Sequence, residues 1–209
     1  FRAKKGLGLV REVFAEKHLS RLKGDMGVGH VRYPTVGSND ATDAQPFWLE
    51  FPVGIAMAHN GNVTNFQEIK REFFETRGIP LASSCDLEAV LYVFADSLSQ
   101  RMSGGQITAE DVFASASTVF DRVKGAYSVV GVLAGAGVFA FRDPYGIKPI
   151  ILGSRVENGQ TCYALASESV VLDVSGYERV RDLAAGEALW IGRDRKIQTK
   201  ILGTPSHRP

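Results

Sequence analysis

The sequence lacks the features of a secreted, membrane-spanning or metal-binding protein. It contains only two cysteines, Cys85 and Cys162, and its four histidines are scattered. Two cysteines so far apart provide neither a zinc-ligand spacing nor a disulfide framework, which favours a reducing compartment. No apolar run is long enough to cross a bilayer. We therefore expect a cytoplasmic protein without a membrane partner and without a metal site.

A strong excess of either charge is also missing, which argues against a nucleic-acid partner. The 24 Lys and Arg residues nearly balance the 23 Asp and Glu residues, so the formal net charge is +1. Domains that bind nucleic acid usually carry a marked basic excess. The hydrophobic content of 44% over 209 residues is sufficient for one sizeable core. These values indicate an ordinary globular protein.

The stretch 58–65 is the most suggestive part of what is present. An apolar run at 53–58 predicts a strand before it, and an amphipathic pattern at 66–74 predicts a helix after it. We expect the strand to end in a turn at Asn60 and Gly61, because this dipeptide tolerates a positive φ. Such a corner can expose an amide side chain and a backbone N–H, which together can bind an oxyanion. A simple turn is the commoner meaning of the dipeptide.

Arg32 lies near the end of a glycine-punctuated stretch, 26–33, that we predict to be a strand, and Thr35 lies in the polar loop after it. A guanidinium group can bind a ligand carboxylate through two parallel hydrogen bonds. The Thr35 hydroxyl is close enough in sequence to help orient the same ligand. Taken alone, Arg32 is equally compatible with a surface ion pair, and Thr35 with a cap of the local turn.

Asp86 stands at the start of a second predicted helix, directly after Cys85. Its carboxylate can cap the helix N-terminus or accept a ligand ammonium group, and its two oxygens allow both. A thiol at a helix N-terminus can be reactive. No histidine lies near Cys85 in the sequence, and a buried, inert cysteine is the commoner case.

The order of the hydrophobic patterns predicts an α+β fold. Strands are expected at 46–51 and 53–58, and three helices should begin near Asn65, Asp86 and Thr108. A hairpin at 126–141 and further strands extend to residue 202. Consecutive strands joined by short turns are antiparallel. Strands on both sides of a helical middle therefore predict two sheets packed face to face with helices outside.

Several short motifs occur together, in the order that one family uses. They occupy residues 27–37, 44–47, 58–62, 86–88, 125–127, 141–146 and 166–169. As a set they resemble the glutamine-hydrolysing domain of class II amidotransferases, which are N-terminal nucleophile hydrolases. The sequences of segments 32–35 and 142–149 are most similar to those of the amidophosphoribosyltransferases, and the last four residues most resemble their fungal members.

The resemblance implies a fold and a set of roles. The fold would be a four-layer αββα sandwich of two mostly antiparallel sheets with outer helices, formed by residues 1–203. Residues 204–209 would begin a linker to a phosphoribosyltransferase domain. Arg32 and Thr35 would bind the α-carboxylate of L-glutamine and Asp86 its α-ammonium group, and Asn60 and Gly61 would form the oxyanion hole.

The resemblance also implies the chemistry of the whole protein. Glutamine would be hydrolysed to glutamate and ammonia without a cofactor. The ammonia would react with phosphoribosyl pyrophosphate on the second domain, with Mg²⁺, and give phosphoribosylamine in the first step of purine synthesis. The whole protein would be a homo-oligomer.

The sequence departs from the family at its nucleophile. In the family an N-terminal cysteine attacks glutamine, with its own α-amine as base. Here the sequence begins at Phe1, and Cys85 stands where a serine is usual and is not that nucleophile. We therefore expect an N-terminally incomplete domain that is inactive alone. A non-catalytic glutamine-binding or interaction module, or the glutaminase domain of another class II amidotransferase, remains the alternative.

Overall fold

The computed structural model describes residues 1–31, 41–102 and 106–203. Its helices are α1 (Val10–Val13), α2 (Glu16–Leu19), α3 (Phe66–Arg77), α4 (Leu87–Arg101), α5 (Ala109–Arg122) and α6 (Ser169–Val174). Its strands are β1 (Phe47–Leu49), β2 (Ile55–Val63), β3 (Gly125–Leu133), β4 (Gly137–Arg142), β5 (Ile151–Glu157), β6 (Gln160–Ala166), β7 (Glu178–Asp182), β8 (Glu187–Gly192) and β9 (Ile197–Ile201). No helix in these ranges is both long and apolar enough to span a membrane.

The strands form two antiparallel sheets, as predicted. The larger sheet has the strand order β1-β2-β3-β4-β8-β9, and the smaller sheet has the order β6-β5-β7. Each neighbouring pair is antiparallel. The longest pairing joins β2 and β3 over nine residues each, from Ile55 opposite Leu133 to Val63 opposite Gly125.

The alternation of side chains along the strands of the larger sheet separates two cores. Phe139 and Phe141 of β4 point to the face covered by α4, and Phe94 of that helix stacks on Phe139 with ring centroids 4.8 Å apart. Ala140, between the two phenylalanines, points to the opposite face and packs in a second core with Leu152 of the smaller sheet. Helix α6 packs against the far side of the smaller sheet. The four-layer αββα arrangement is therefore confirmed.

The three helices that were predicted to begin near Asn65, Asp86 and Thr108 are all present, as α3, α4 and α5. Helix α3 ends at Gly78, which adopts a left-handed φ of 67°. Thr108 caps α5, since its hydroxyl accepts from the Asp111 N–H. The Asn65 side chain does not cap α3, because it accepts from the Lys124 N–H and donates to the Arg122 carbonyl. Asn65 thereby fastens the start of α3 to the loop that enters β3.

The predicted turn at Asn60 and Gly61 is also wrong. Strand β2 continues through both residues to Val63, and Gly61 lies opposite Tyr127 without a positive φ. A side chain at Gly61 would come within 2.7 Å of the Tyr127 Cα and would overlap the Ala126 carbonyl oxygen. Glycine is therefore required here by the close approach of two strands and not by a turn.

The N-terminal predictions are only partly met. Residues 26–31 form no strand, and the remaining positions of that predicted strand lie outside the described residues. Two short helices, α1 and α2, lie in the N-terminal segment. Strand β7 was not predicted, because the Glu178–Asp182 segment is almost entirely polar and exposed and has no apolar alternation.

Candidate functional site

The site is formed at the edge of β2 that β1 leaves uncovered. Strand β1 pairs only with the first three residues of β2, Ile55 to Met57. Beyond them, the backbone groups of β2 that do not face β3 are open to other partners. Tyr127 lies opposite Gly61. Its N–H donates to the Asp143 carboxylate and its carbonyl accepts from the Asp143 N–H, on the side of β3 that faces away from β2. In an antiparallel ladder the Gly61 N–H therefore points to the uncovered edge.

The N–H groups of His59, Gly61 and Val63 all point to this uncovered edge, and those of His59 and Val63 already have hydrogen-bond partners. The His59 N–H donates to Gln45 Oε1 at 2.7 Å, and the Val63 N–H donates to Asp86 Oδ2 at 2.6 Å. Between them, the Gly61 N–H has no hydrogen-bond partner among the described residues. An unpaired donor held between two fixed neighbours is available to a ligand.

The Asn60 side chain is exposed and likewise makes no hydrogen bond within the described ranges. Because side chains alternate along a strand, it lies on the opposite face of the sheet from His59. Its amide and the N–H of the next residue, Gly61, are thus two adjacent polar groups without partners in the described part of the chain. The sequence predicted these two groups as neighbouring donors but placed them in a turn.

Asp86 is held by β2 and does not cap α4. Its carboxylate makes no capping hydrogen bond; Oδ1 lies 3.1 Å from His59 Nε2, and Oδ2 accepts from the Val63 N–H. The interpretation of Asp86 as a simple N-cap is therefore wrong. Its side chain is 22% exposed, whereas that of His59 is 3% exposed. A buried imidazole thus positions a carboxylate that still reaches solvent.

The pKa of Asp86 lies below its ordinary value for reasons visible in these contacts. Burial acts to raise the pKa, but the hydrogen bond and charge of His59 and the Val63 N–H outweigh it. Asp86 is therefore ionised at neutral pH. Each carboxylate oxygen can accept a second hydrogen bond, so the group can still receive an ammonium donor.

Two buried carboxylates fix the loop that presents Asp86. Glu88 accepts from the backbone N–H groups of Ala82 and Ser83 and from the Ser83 hydroxyl. Asp43 accepts from the Ser84 N–H at 3.0 Å and from the Ser84 hydroxyl. The sequence analysis assigned neither residue a supporting role, because the contacts of Asp43 span 41 residues and leave no periodic signal.

Cys85 lies beside Asp86 in the same group of side chains. Its sulfur accepts from Gln45 Nε2 at 3.9 Å, and the residue is 5% exposed. His59, Cys85 and Asp86 each offer one ligand atom, and these atoms lie within 4.8 Å of one another. This cluster joins β2 to the two residues just before α4, and the spacing of the residues in the sequence did not predict it.

The remaining predicted ligand residues, Arg32 and Thr35, lie outside the described residues. A cavity of about 800 Å³ adjoins the site and is lined by the N-terminal segment together with Gln45, Ala56 and Val132. Gln45 connects the cavity to the candidate site, because it lines the cavity and its side chain also accepts from the His59 N–H. Asp86 and Gly61 do not line this cavity, so the candidate site is the strand edge beside it.

Comparison with known proteins gives one family. Residues 30–173 match the family described as glutamine amidotransferase domain. The chain is 47% identical over 198 residues to the amidophosphoribosyltransferase of Pseudomonas aeruginosa, covering 94% of this chain and 39% of that protein. It is 42% identical over 193 residues to that of Schizosaccharomyces pombe, covering 92% of this chain and 36% of that protein. Bacterial and fungal relatives are thus both similar, and the fungal ones are not favoured.

Solved structures agree with this family. The chain resembles glutamine phosphoribosylpyrophosphate amidotransferase from B. subtilis with a TM-score of 0.75 and 28% identity, over 98% of this chain and 40% of that one. A second structure, described as the allosteric regulatory enzyme of purine biosynthesis, matches with a TM-score of 0.75 and 28% identity, over 96% of this chain and 39% of that one. The chain spans about two fifths of the length of these relatives.

Proposed function

Because the chain belongs to the glutamine amidotransferase domain family, we propose that it binds L-glutamine at the uncovered edge of β2 and supports hydrolysis of its side-chain amide. The observation that carries the proposal is the unpaired Gly61 N–H, fixed two residues from the N–H that binds Asp86. Two residues along a strand span about 6.8 Å. An amino acid with a two-methylene side chain can bridge that separation.

The two ends of the bound glutamine need different partners. The ionised Asp86 carboxylate accepts the α-ammonium group, and its lowered pKa keeps it charged for this purpose. Arg32 binds the α-carboxylate through its guanidinium fork, with Thr35 beside it. These contacts orient the substrate and leave its side-chain carbonyl directed toward Asn60 and Gly61.

The Asn60 amide and the Gly61 N–H stabilise the charge that develops on the carbonyl oxygen. A thiolate attacks the amide carbon, the C–N bond breaks, the leaving nitrogen takes a proton, and ammonia departs from a glutamyl thioester. Water then cleaves the thioester to glutamate. The resemblance assigns the thiolate to an N-terminal cysteine. Neither Cys85, which is buried beside Gln45, nor Cys162 of the smaller sheet takes that role.

For the whole protein we propose an amidophosphoribosyltransferase. The support is the identity of 47% and 42% to proteins of that name across nearly the entire chain. The ammonia would displace pyrophosphate from phosphoribosyl pyrophosphate and give phosphoribosylamine. Glutamine hydrolysis would need no cofactor, whereas phosphoribosyl transfer would use Mg²⁺. We place the protein in the cytoplasm, as a homo-oligomer.

Replacement of Asp86 by Asn tests the glutamine site. The substitution keeps the side-chain shape but removes the charge that binds the ammonium group. We expect kcat/KM for glutamine to fall by about 10- to 100-fold, the range for loss of a hydrogen bond to a charged group. Phosphoribosylamine formation from externally added ammonia should be retained, because it does not need the glutamine site.

Asp96→Asn is the matched control, since Asp96 pairs with Arg77 on the surface of α4. It should leave the glutamine kinetics unchanged. Equal glutamine kinetics in the two variants would refute the assignment of Asp86.

A further inference from the structure

Beyond glutamine, the cluster of His59, Cys85 and Asp86 has the composition of a site for a thiophilic metal ion. We propose that these three side chains bind a divalent cation of the zinc class. Zinc accepts thiolate, imidazole and carboxylate ligands, and sites with three protein ligands leave a fourth position open. The three residue types present here are therefore a suitable ligand set.

The distances support this assignment. The candidate ligand atoms lie within 4.8 Å of one another, and His59 Nε2 and Asp86 Oδ1 are 3.1 Å apart. Tetrahedral zinc with bonds of about 2.0 to 2.3 Å places its ligands roughly 3.3 to 3.7 Å from each other. The most widely separated pair of ligand atoms therefore needs to approach by roughly 1 to 1.5 Å.

A second observation concerns the other nitrogen of the same imidazole. The His59 side chain is 3% exposed, and its Nδ1 is buried without a hydrogen-bond partner among the described residues. A buried imidazole nitrogen without a partner is energetically unfavourable. Nε2 lies 3.1 Å from Asp86 Oδ1, and among the described residues this is the His59 side-chain contact that an ion would replace.

The charges around the cluster also allow a cation. The Asp86 carboxylate lies in the same cluster as the His59 imidazole and the Cys85 sulfur, and a carboxylate is a zinc ligand. On binding, the Cys85 thiol loses its proton to solvent and Gln45 Nε2 gives up its contact with the sulfur.

One consequence rests on the proposed function. An ion on Asp86 occupies the group that would accept the ammonium group of glutamine, so zinc and glutamine should exclude each other. Such an ion would be an inhibitor and not a cofactor. A serine at position 85 would have no thiolate to offer, so the inhibition depends on Cys85.

Titration of the purified, metal-free protein with Co²⁺ tests the site directly. Cobalt reports a thiolate ligand by a charge-transfer absorption, which a structural role of Cys85 alone would not produce. We expect a band at one equivalent that Zn²⁺ removes and that Mg²⁺, which prefers oxygen ligands, does not. Cys85→Ser should lose the band and bind Zn²⁺ at least about tenfold more weakly.

Cys162→Ser is the matched control, because Cys162 lies on β6 of the smaller sheet. It should keep both the band and the zinc affinity. A band that is missing in the unaltered protein, or that survives in Cys85→Ser, would overturn the proposal. The measurement needs neither glutamine nor turnover, so failure of the proposed function would be seen separately, in the Asp86→Asn kinetics.

Discussion

At the scale of single residues, Gly61 has an N–H that is accessible to a ligand, but a turn is not the cause. The sequence indicated an exposed N–H through a turn, since the Asn-Gly dipeptide favours turns. The structure instead exposes the N–H at the edge of a strand, because β1 ends before reaching it. The candidate donor could be predicted from the residue types, whereas its setting depends on strand pairing that no local pattern encodes.

Replacement of Gly61 by Ala should destabilise the protein. The added methyl group would overlap the Ala126 carbonyl oxygen and lie 2.7 Å from the Tyr127 Cα, so β2 and β3 must separate. We expect a loss of about 1–3 kcal/mol in the free energy of unfolding, the range for overpacking. Urea denaturation measures it. Gly27→Ala is the control, because a Cβ there meets nothing within 4 Å. Equal stabilities of the two variants would contradict the close approach.

Tyr127 gives a prediction for pH. Burial and then the charge of Asp143 raise the pKa of Tyr127 well above its ordinary value. In the unfolded chain the pKa of tyrosine is about 10. Below that pH the neutral phenol contributes fully to the stability of the folded state, and the contribution is lost progressively as the pH rises above it. Stability should therefore fall by up to about 1.4 kcal/mol per pH unit above pH ~10.

Tyr127→Phe should flatten this alkaline decline, measured by denaturation at a series of pH values. The phenol donates only to the Val123 carbonyl at 3.3 Å, so the substitution removes little else. An unchanged slope would show that other groups cause the decline.

At the scale of secondary-structure elements, the long helices were predictable and the support of the site was not. Helices α3, α4 and α5 carry regular apolar stripes, and each begins near its predicted residue. The role of Asp86 was left open between cap and ligand, because both place an acid at the start of α4. Its contact with Val63 spans 23 residues and decides against the cap.

Glu88 should matter through the loop before α4. Its carboxylate accepts from two backbone N–H groups and a hydroxyl, and the residue is buried. Glu88→Gln removes the charge and turns an amide donor toward groups that are donors themselves. We expect a loss of about 2–3 kcal/mol in unfolding free energy and weaker glutamine binding, because Asp86 is no longer held in place.

Thermal denaturation and glutamine titration measure the two effects. The control is Glu75→Gln on the exposed face of α3, which should change neither value. Full stability in Glu88→Gln would show that the loop is held by other contacts.

At the scale of the whole molecule, the layered fold follows from the order of strands and helices, but the site depends on how distant segments meet. The uncovered edge of β2 is bordered by Gln45 from the loop before β1 and by Asp86 from the start of α4. Neither approach is visible in a pattern of residue types. The resemblance to a family supplied Asp86 and Gly61, and the hydrogen bond from the Val63 N–H to Asp86 explains why the two lie close together.

The most direct test of the account is a crystal structure with bound L-glutamine. The account predicts the α-ammonium nitrogen about 3 Å from the Asp86 carboxylate, and the side-chain carbonyl oxygen about 3 Å from the Gly61 nitrogen. Glutamine bound elsewhere, such as in the cavity lined by the N-terminal segment, with the Gly61 N–H still unpaired, would contradict it.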